Sequence, residues 1–294
     1  SDLESKRFDY VIVGAGGMGM AFADVVFHET NKSFLLVDKM SRPGGHWNNA
    51  YPFVRLHQPS AFYGVNSQKL NTDFIDTVGR NRGLMELACA PEILGYYDQV
   101  LRQDFLPSGR VSFLPLSEYV GPGRIRSLVS GKEIRFSADK LVDATYLEAK
   151  VPAVVPPPFE FDASIDVCPP GGLASLGRTY TNYVVAGAGK TAFDAILYLI
   201  DLGVDVDAIH WIVPRHSWLF DRALVQTNPE LNINPINSFV EQMAAVAESE
   251  SLDDMFARVE AIRGLVRLDP EHSPTMYRCA TVTEADLEDL RRVS

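Results

Sequence analysis

The chain holds three cysteines, Cys89, Cys168 and Cys279, far apart and with no C-x-x-C pair. That excludes a redox dithiol and a cysteine-pair zinc site, and it fits a reducing, cytoplasmic setting. No apolar run approaches the roughly 18 residues that span a bilayer, so no membrane span is expected. Ser1 to Arg7 is charged and lacks a signal-peptide core. Long Lys/Arg runs are absent, and 38 acidic against 27 basic residues give a net charge of −11. Such a chain should repel nucleic acid and anionic membranes. The six histidines show no spacing of the H-E-x-x-H kind, so no metal is expected.

What is present is ordinary globular material. With 294 residues, 46% hydrophobic and 22% charged, the chain can bury one large core or two modest ones, and disorder is not expected. Phe8 to Val13 is a short β-branched run that ends in glycines, as a buried parallel strand does. Met20 to His28 reads as a helix and Phe34 to Val37 as a second buried strand, ending at Asp38. Ser41 to Gly64 reads as ordered loop. A helix is expected over Pro91 to Asp104, and strand pieces at Val111 to Leu114 and Tyr119 to Val120. Arg124 to Val129 and Glu133 to Phe136 suggest a hairpin, with another strand at Lys140 to Ala144. Proline-rich Val151 to Pro170 reads as a crossover. A second strand–turn–helix–strand unit follows: Tyr183 to Ala186, Thr191 to Leu202, Ile209 to Val213. A loop is expected after Ser217, then helices over Phe239 to Ala247, Leu252 to Val266 and Thr283 to Val293.

Gly14-Ala15-Gly16-Gly17-Met18-Gly19 matches G-x-G-x-x-G between a strand and a helix. The first glycine permits the turn, the second lets backbone approach a pyrophosphate, and the third packs helix on sheet. The helix N-terminus offers free N–H groups and a positive dipole to phosphates. Asp38 stands near the offset expected for an acid on a ribose hydroxyl, with Lys39 beside it. Gly187-Ala188-Gly189-Lys190-Thr191-Ala192 matches G-x-G-x-x-A in the same context. Its next strand ends at Pro214-Arg215-His216, a cation where an acid would favour a free 2′-hydroxyl. Arg215 suits a 2′-phosphate, hence NADPH, and Lys190 adds charge or lies solvated. Val184 stands where a P-loop needs glycine, which rules that motif out.

Further residues carry a family resemblance. Gly44-Gly45-His46-Trp47 followed by Tyr51-Pro52, then Pro59-Ser60 and Tyr63, resembles the G-G-x-W…Y-P stretch of the flavin-containing monooxygenases and their Baeyer–Villiger relatives. Val142-Asp143-Ala144-Thr145 resembles their A-T-G strand, with Tyr146 in place of glycine, and Ile212-Val213-Pro214-Arg215 their NADPH-phosphate strand. The resemblance implies FAD at the first motif, with Gly45, His46, Trp47, His57, Gln58, Ala144 and Thr145 near it, and NADPH at the second. His57 stands about where the Baeyer–Villiger enzymes carry an aspartate; it is the candidate to tune flavin charge or shuttle a proton near neutral pH. The fingerprint F-x-G-x-x-x-H is missing, since no histidine lies between Phe161 and Asn182.

The expected fold is α/β, two Rossmann-like domains of three-layer ββα/βαβ architecture. An FAD-binding domain covers 1–178, with a helical insertion at about 73–105. A nucleotide-binding domain with a C-terminal helical segment covers 179–294. The family's C-terminal return to the FAD domain is not found before Ser294; either the chain is incomplete or the flavin site closes another way. The expected function is an NADPH-dependent flavin monooxygenase acting on a small organic molecule, in the cytoplasm, and a homo-oligomer is compatible with the sequence. The alternatives are a flavoprotein reductase or dehydrogenase and a non-enzymatic dinucleotide-binding protein.

Overall fold

A computed structural model describes residues 3, 6–146, 155–231 and 233–293. It divides into two compact units. One comprises Ser1–Ala50, Tyr63–Leu70 and Cys89–Asp166; the other comprises Tyr51–Phe62, Asn71–Ala88 and Val167–Ser294. A single cut at 178/179 does not describe this division, because two loop segments from the first third of the sequence join the second unit.

The first unit holds β1 (Arg7–Val13), α1 (Gly17–Glu29), β2 (Phe34–Val37), α2 (Ala90–Gln99), β3 (Val111–Leu114), β4 (Ser117–Gly121), β5 (Arg124–Ser127), β6 (Glu133–Arg135) and β7 (Ser137–Asp143). Its main sheet runs β3-β2-β1-β7, and every pairing is parallel. All four residues of β2 are buried, as a strand covered on both faces must be. Phe8, Val11, Leu35, Val37 and Ile125 form one of its apolar cores. Strands β4, β5 and β6 make a separate antiparallel sheet, the expected hairpin with one strand more. The helical insertion expected at about 73–105 begins only at Ala90, where Pro91 occupies the first turn and the Glu92 carboxylate accepts the Cys89 N–H at 2.7 Å. Residues 73–88 form turns around an Ile75–Met85 bridge. After Gln99 the helix relaxes into a π-turn, Val100–Phe105.

The second unit holds α3 (Pro170–Leu173), β8 (Tyr183–Ala186), α4 (Lys190–Asp201), β9 (Ile209–Ile212), β10 (Ser217–Asp221), α5 (Ile233–Ala247), α6 (Leu252–Ala261), β11 (Met276–Val282) and α7 (Glu284–Leu290). Strands β8 and β9 are parallel, with Ala186 opposite Ile212. Phe193, Ile196 and Leu199 of α4 pack with Ile209 and with Leu287 and Leu290 of α7, the i, i+3, i+6 face of an amphipathic helix. The loop expected after Ser217 is instead β10. It buries Trp218 and Leu219 and pairs in parallel with β11, which sequence patterning did not reveal. Helix α6 stops at Ala261 rather than Val266. Arg263 takes φ 59° and the Gly264 N–H turns back to the Val259 carbonyl, which frees Leu265 and Val266 for the core. Thr283 caps α7 by a reciprocal pair with Asp286. Part of the expected crossover, 151–154, lies outside the described residues. No described helix is long and apolar enough to cross a membrane.

Candidate dinucleotide sites

In the first unit the glycine turn sits at the C-terminal end of β1. The sheet's sequence order reverses beside it, between β1 and β7, where open α/β sheets bind ligands. Gly16 is the N-cap of α1, no side chain caps the helix, and its first turn has no acidic residue. The free N–H groups and the positive end of the dipole are therefore left for an anion. Gly19 shows why the third glycine is needed: a Cβ there would lie 1.8 Å from the Gly14 carbonyl oxygen. Helix and strand end are thus in backbone contact. Ala144 and Thr145 flank the same turn, with the Ala144 N–H donated to the Val13 carbonyl and Thr145 held by the Asp143 carboxylate.

Asp38 ends β2 and is buried. Burial holds its carboxyl above the usual range, against the lowering effect of two backbone donors, Met40 N–H and Ala15 N–H. The acid expected on a ribose thus also braces the glycine turn. Lys39 pairs with Glu118 at 3.4 Å. Gly44 and Gly45 fold directly onto the first motif: the Gly44 N–H donates to the Ala15 carbonyl at 2.8 Å, and a Cβ on Gly45 would stand 2.9 Å from Gly16 Cα. Trp47 is buried and its indole N–H donates to the Tyr63 hydroxyl at 2.6 Å. Tyr63 in turn meets Tyr97, and a Cβ on Gly17 would meet their hydroxyls at 3.3 and 3.4 Å. Tyr97 was not singled out in the sequence, because only the fold brings α2 to this turn. His46 is exposed and lies obliquely on Trp47.

In the second unit Gly189 caps α4, again with no side-chain cap and no acid in the first turn. Ala192 is buried at the third motif position. The Trp211 indole N–H donates to the Gly187 carbonyl at 2.7 Å, tying β9 to the turn. Lys190, expected as free charge, is instead mostly buried and ion-paired with Asp194. The Tyr51 hydroxyl donates to the same carboxylate at 2.6 Å and interacts with Thr191. Burial raises the Tyr51 phenol and the Asp194 carboxyl above their ordinary values. Arg215 is exposed at the end of β9, while His216 stacks on His272.

His57 and Gln58 fall in the second unit, whereas His46 and Trp47 fall in the first. Gln58 is exposed. Burial, reinforced by the positive charges of Lys190 and Arg222, pushes the His57 imidazole down to about 3. It is therefore neutral near pH 7. Its carbonyl accepts from Arg222 Nε at 2.9 Å and from the Thr281 hydroxyl. Arg222 is buried and pairs with Asp286 at 3.2 Å. Arg222, Thr281 and Asp286, with Lys190, Asp194 and Asn81, line a cavity of about 380 Å3 inside the second unit, in the size range of ligand pockets. Sequence reasoning missed Arg222, Thr281 and Asp286, which carry no motif and meet only through β11.

No family model matches the chain. Over 285 residues it is 47% identical to uncharacterized proteins from Mycobacterium tuberculosis and Mycobacterium bovis. That match covers 97% of this chain and 53% of each relative, so the chain spans about half their length. Among solved structures, the open crystal structure of cyclohexanone monooxygenase is similar with a TM-score of 0.54 and 16% identity, over 97% of this chain and 65% of that one. The closed crystal structure gives a TM-score of 0.50 and 16% identity, over 97% and 63%. At such identity the likeness is one of fold: this chain has a mixed α/β fold with parallel sheets, similar to that of cyclohexanone monooxygenase.

Proposed function

We propose that this chain carries the dinucleotide-binding part of an FAD-dependent, NADPH-using oxidoreductase of the monooxygenase type, acting on a small organic substrate. The observation that carries the reading is the backbone contact of Gly44-Gly45 with the Gly14–Gly19 turn at an uncapped helix N-terminus. Side chains at these positions would fill the cradle, and the absence of an acid in the first turn suits a pyrophosphate. The residues fit FAD as follows. The α1 N-terminus takes the phosphates, Asp38 offers its remaining acceptor capacity to the ribose, and the Trp47–Tyr63 pair walls the turn. NADPH fits the α4 N-terminus, with exposed Arg215 for the 2′-phosphate.

FAD bound there would take hydride from NADPH and pass the electrons to dioxygen, one oxygen atom going to the substrate and the other to water. The protein's part is to bind and orient the two dinucleotides. A reductase reading uses the same residues and differs only in the electron acceptor.

The test is a visible spectrum of the purified chain before and after FAD is added, followed by anaerobic NADPH and then air. Flavin uptake, bleaching by NADPH and reoxidation by air are the expected results. An unchanged free-flavin spectrum after FAD addition sinks the proposal. Oxygen uptake with no oxygenated product from any substrate offered favours the reductase.

A further inference from the structure

We propose that His216, Asp269 and His272 form a site for a divalent transition-metal ion, zinc being the best match, at the paired starts of β10 and β11. The inference does not rest on the flavin reading.

One ligand atom from each of the three side chains lies within 4.8 Å of the other two. The imidazoles of His216 and His272 stack with centroids 4.9 Å apart and planes 3° from parallel. His272 Nδ1 lies 2.5 Å from Asp269 Oδ2. The other carboxylate oxygen, Oδ1, accepts the Glu271 N–H at 2.8 Å, which fixes the Asp269 side chain in its own turn. His216 is held from the other side, its carbonyl accepting the Thr275 N–H at 3.3 Å. The Nδ1 atom of His216 is buried and has no hydrogen-bond partner among the described residues. A buried ring nitrogen without a partner is unfavourable, and a cation would satisfy it.

The donor set selects the ion. Two imidazole nitrogens and one carboxylate suit zinc and its neighbours, whereas calcium and magnesium take all-oxygen sites. Tetrahedral metal–ligand bonds of roughly 2.0–2.2 Å set donors about 3.3–3.6 Å apart, so the 2.5 Å His272–Asp269 pair would open to admit the ion while the donors, now within 4.8 Å of one another, gather around it. His272 is exposed and Asp269 sits on a turn, so these two can close on the better anchored His216. Three protein ligands leave one tetrahedral position for water or a small ligand. The ion would pin the turn around Asp269 to the start of β10. Chain spacing hides the site, because the ligands come from two separate stretches joined only by the β10–β11 pairing.

The test uses tag-free chain, dialysed against a chelator and titrated calorimetrically with zinc and spectroscopically with cobalt(II). One zinc per chain at micromolar affinity is expected, with a visible cobalt absorption typical of a low-coordinate nitrogen and oxygen site. His216→Ala and His272→Ala should each weaken binding by about tenfold or more. His210→Ala serves as the control, since His210 pairs with Asn182 outside the cluster. His272 is exposed, so its variant should fold whatever becomes of the His216 variant; far-UV dichroism checks both. Absence of saturable zinc uptake by the wild-type chain overturns the proposal. So does uptake left unchanged in folded His272→Ala.

Discussion

Asp38 Oδ2 accepts the backbone N–H of Ala15 at 2.5 Å, while its Oδ1 accepts that of Met40 at 2.7 Å. One buried carboxylate thus joins the end of β2 to the glycine turn after β1. Asp38→Ala should cost roughly 2 kcal/mol or more, because two buried donors lose their acceptor. Asp38→Asn keeps one acceptor oxygen and should cost less. Urea unfolding of the three proteins gives the order, and FAD titration should follow it. Equal stability of Ala and Asn variants would mean that the amides find other partners.

Two glycines in helices of the first unit should respond oppositely to alanine. At Gly19 the new methyl would meet the Gly14 carbonyl oxygen at 1.8 Å. Backbone must move, and a loss of roughly 3 kcal/mol is expected, at the upper end for overpacking. At Gly95, exposed within α2, nothing lies within 4 Å of the added Cβ. Gly95→Ala should therefore gain about 0.4–1 kcal/mol by restricting the unfolded chain. Thermal melts of both variants against wild type decide the matter; a harmless Gly19→Ala would refute the backbone contact.

These contrasts mark what the sequence makes legible. Strand–glycine–helix–strand order is local, so β1, α1 and β2 and then β8, α4 and β9 can be read from hydrophobic runs punctuated by glycine. Gly45 and Trp47 were legible as well, through a loop motif. The partners of charged groups were not. Lys190 reads as a solvated cation until helical spacing places Asp194 against it and a distant loop adds Tyr51. Strand β10 was hidden because Ser217 to Asp221 is too short to separate from a loop, and its partner β11 comes much later in the chain. Likewise, the His216–His272 stack exists only through that pairing.

The Lys190–Asp194 pair should behave as a buried ion pair. Its two side chains are 13% and 11% exposed, so removing one charge strands the other. Lys190→Met alone should cost roughly 3 kcal/mol, while Lys190→Met combined with Asp194→Leu should recover much of that. A double-mutant cycle in urea measures the coupling. Additive losses would show that the two groups are solvated separately.

Exposed Arg215 bears on cofactor choice. If it meets the 2′-phosphate, Arg215→Ala removes a charge-assisted contact of about 1.5–3 kcal/mol. That corresponds to a rise of about tenfold or more in the Kd for NADPH. NADH, which lacks the phosphate, should bind both proteins alike. Fluorescence titration with the two nucleotides separates the cases, and equal weakening of both would assign Arg215 to general electrostatics.

His57 gives the second unit a pH dependence whose sign is fixed. Its ordinary pKa of 6.5 falls to about 3 in the folded chain, through burial first and then through Lys190 and Arg222. As pH drops below 6.5 the unfolded chain takes up the proton before the folded chain does. Stability is therefore whole above that value and declines as pH falls toward about 3. From about pH 7.5 to about pH 5.5 the expected loss from this group is roughly 1 kcal/mol. His57→Gln cannot take up the proton, so its stability should fall less over the same range. Urea midpoints at the two pH values, for both proteins, measure the difference. Parallel pH curves would mean that the imidazole reaches solvent in the folded chain, and Lys190 and Arg222 would then be too well screened to act on it.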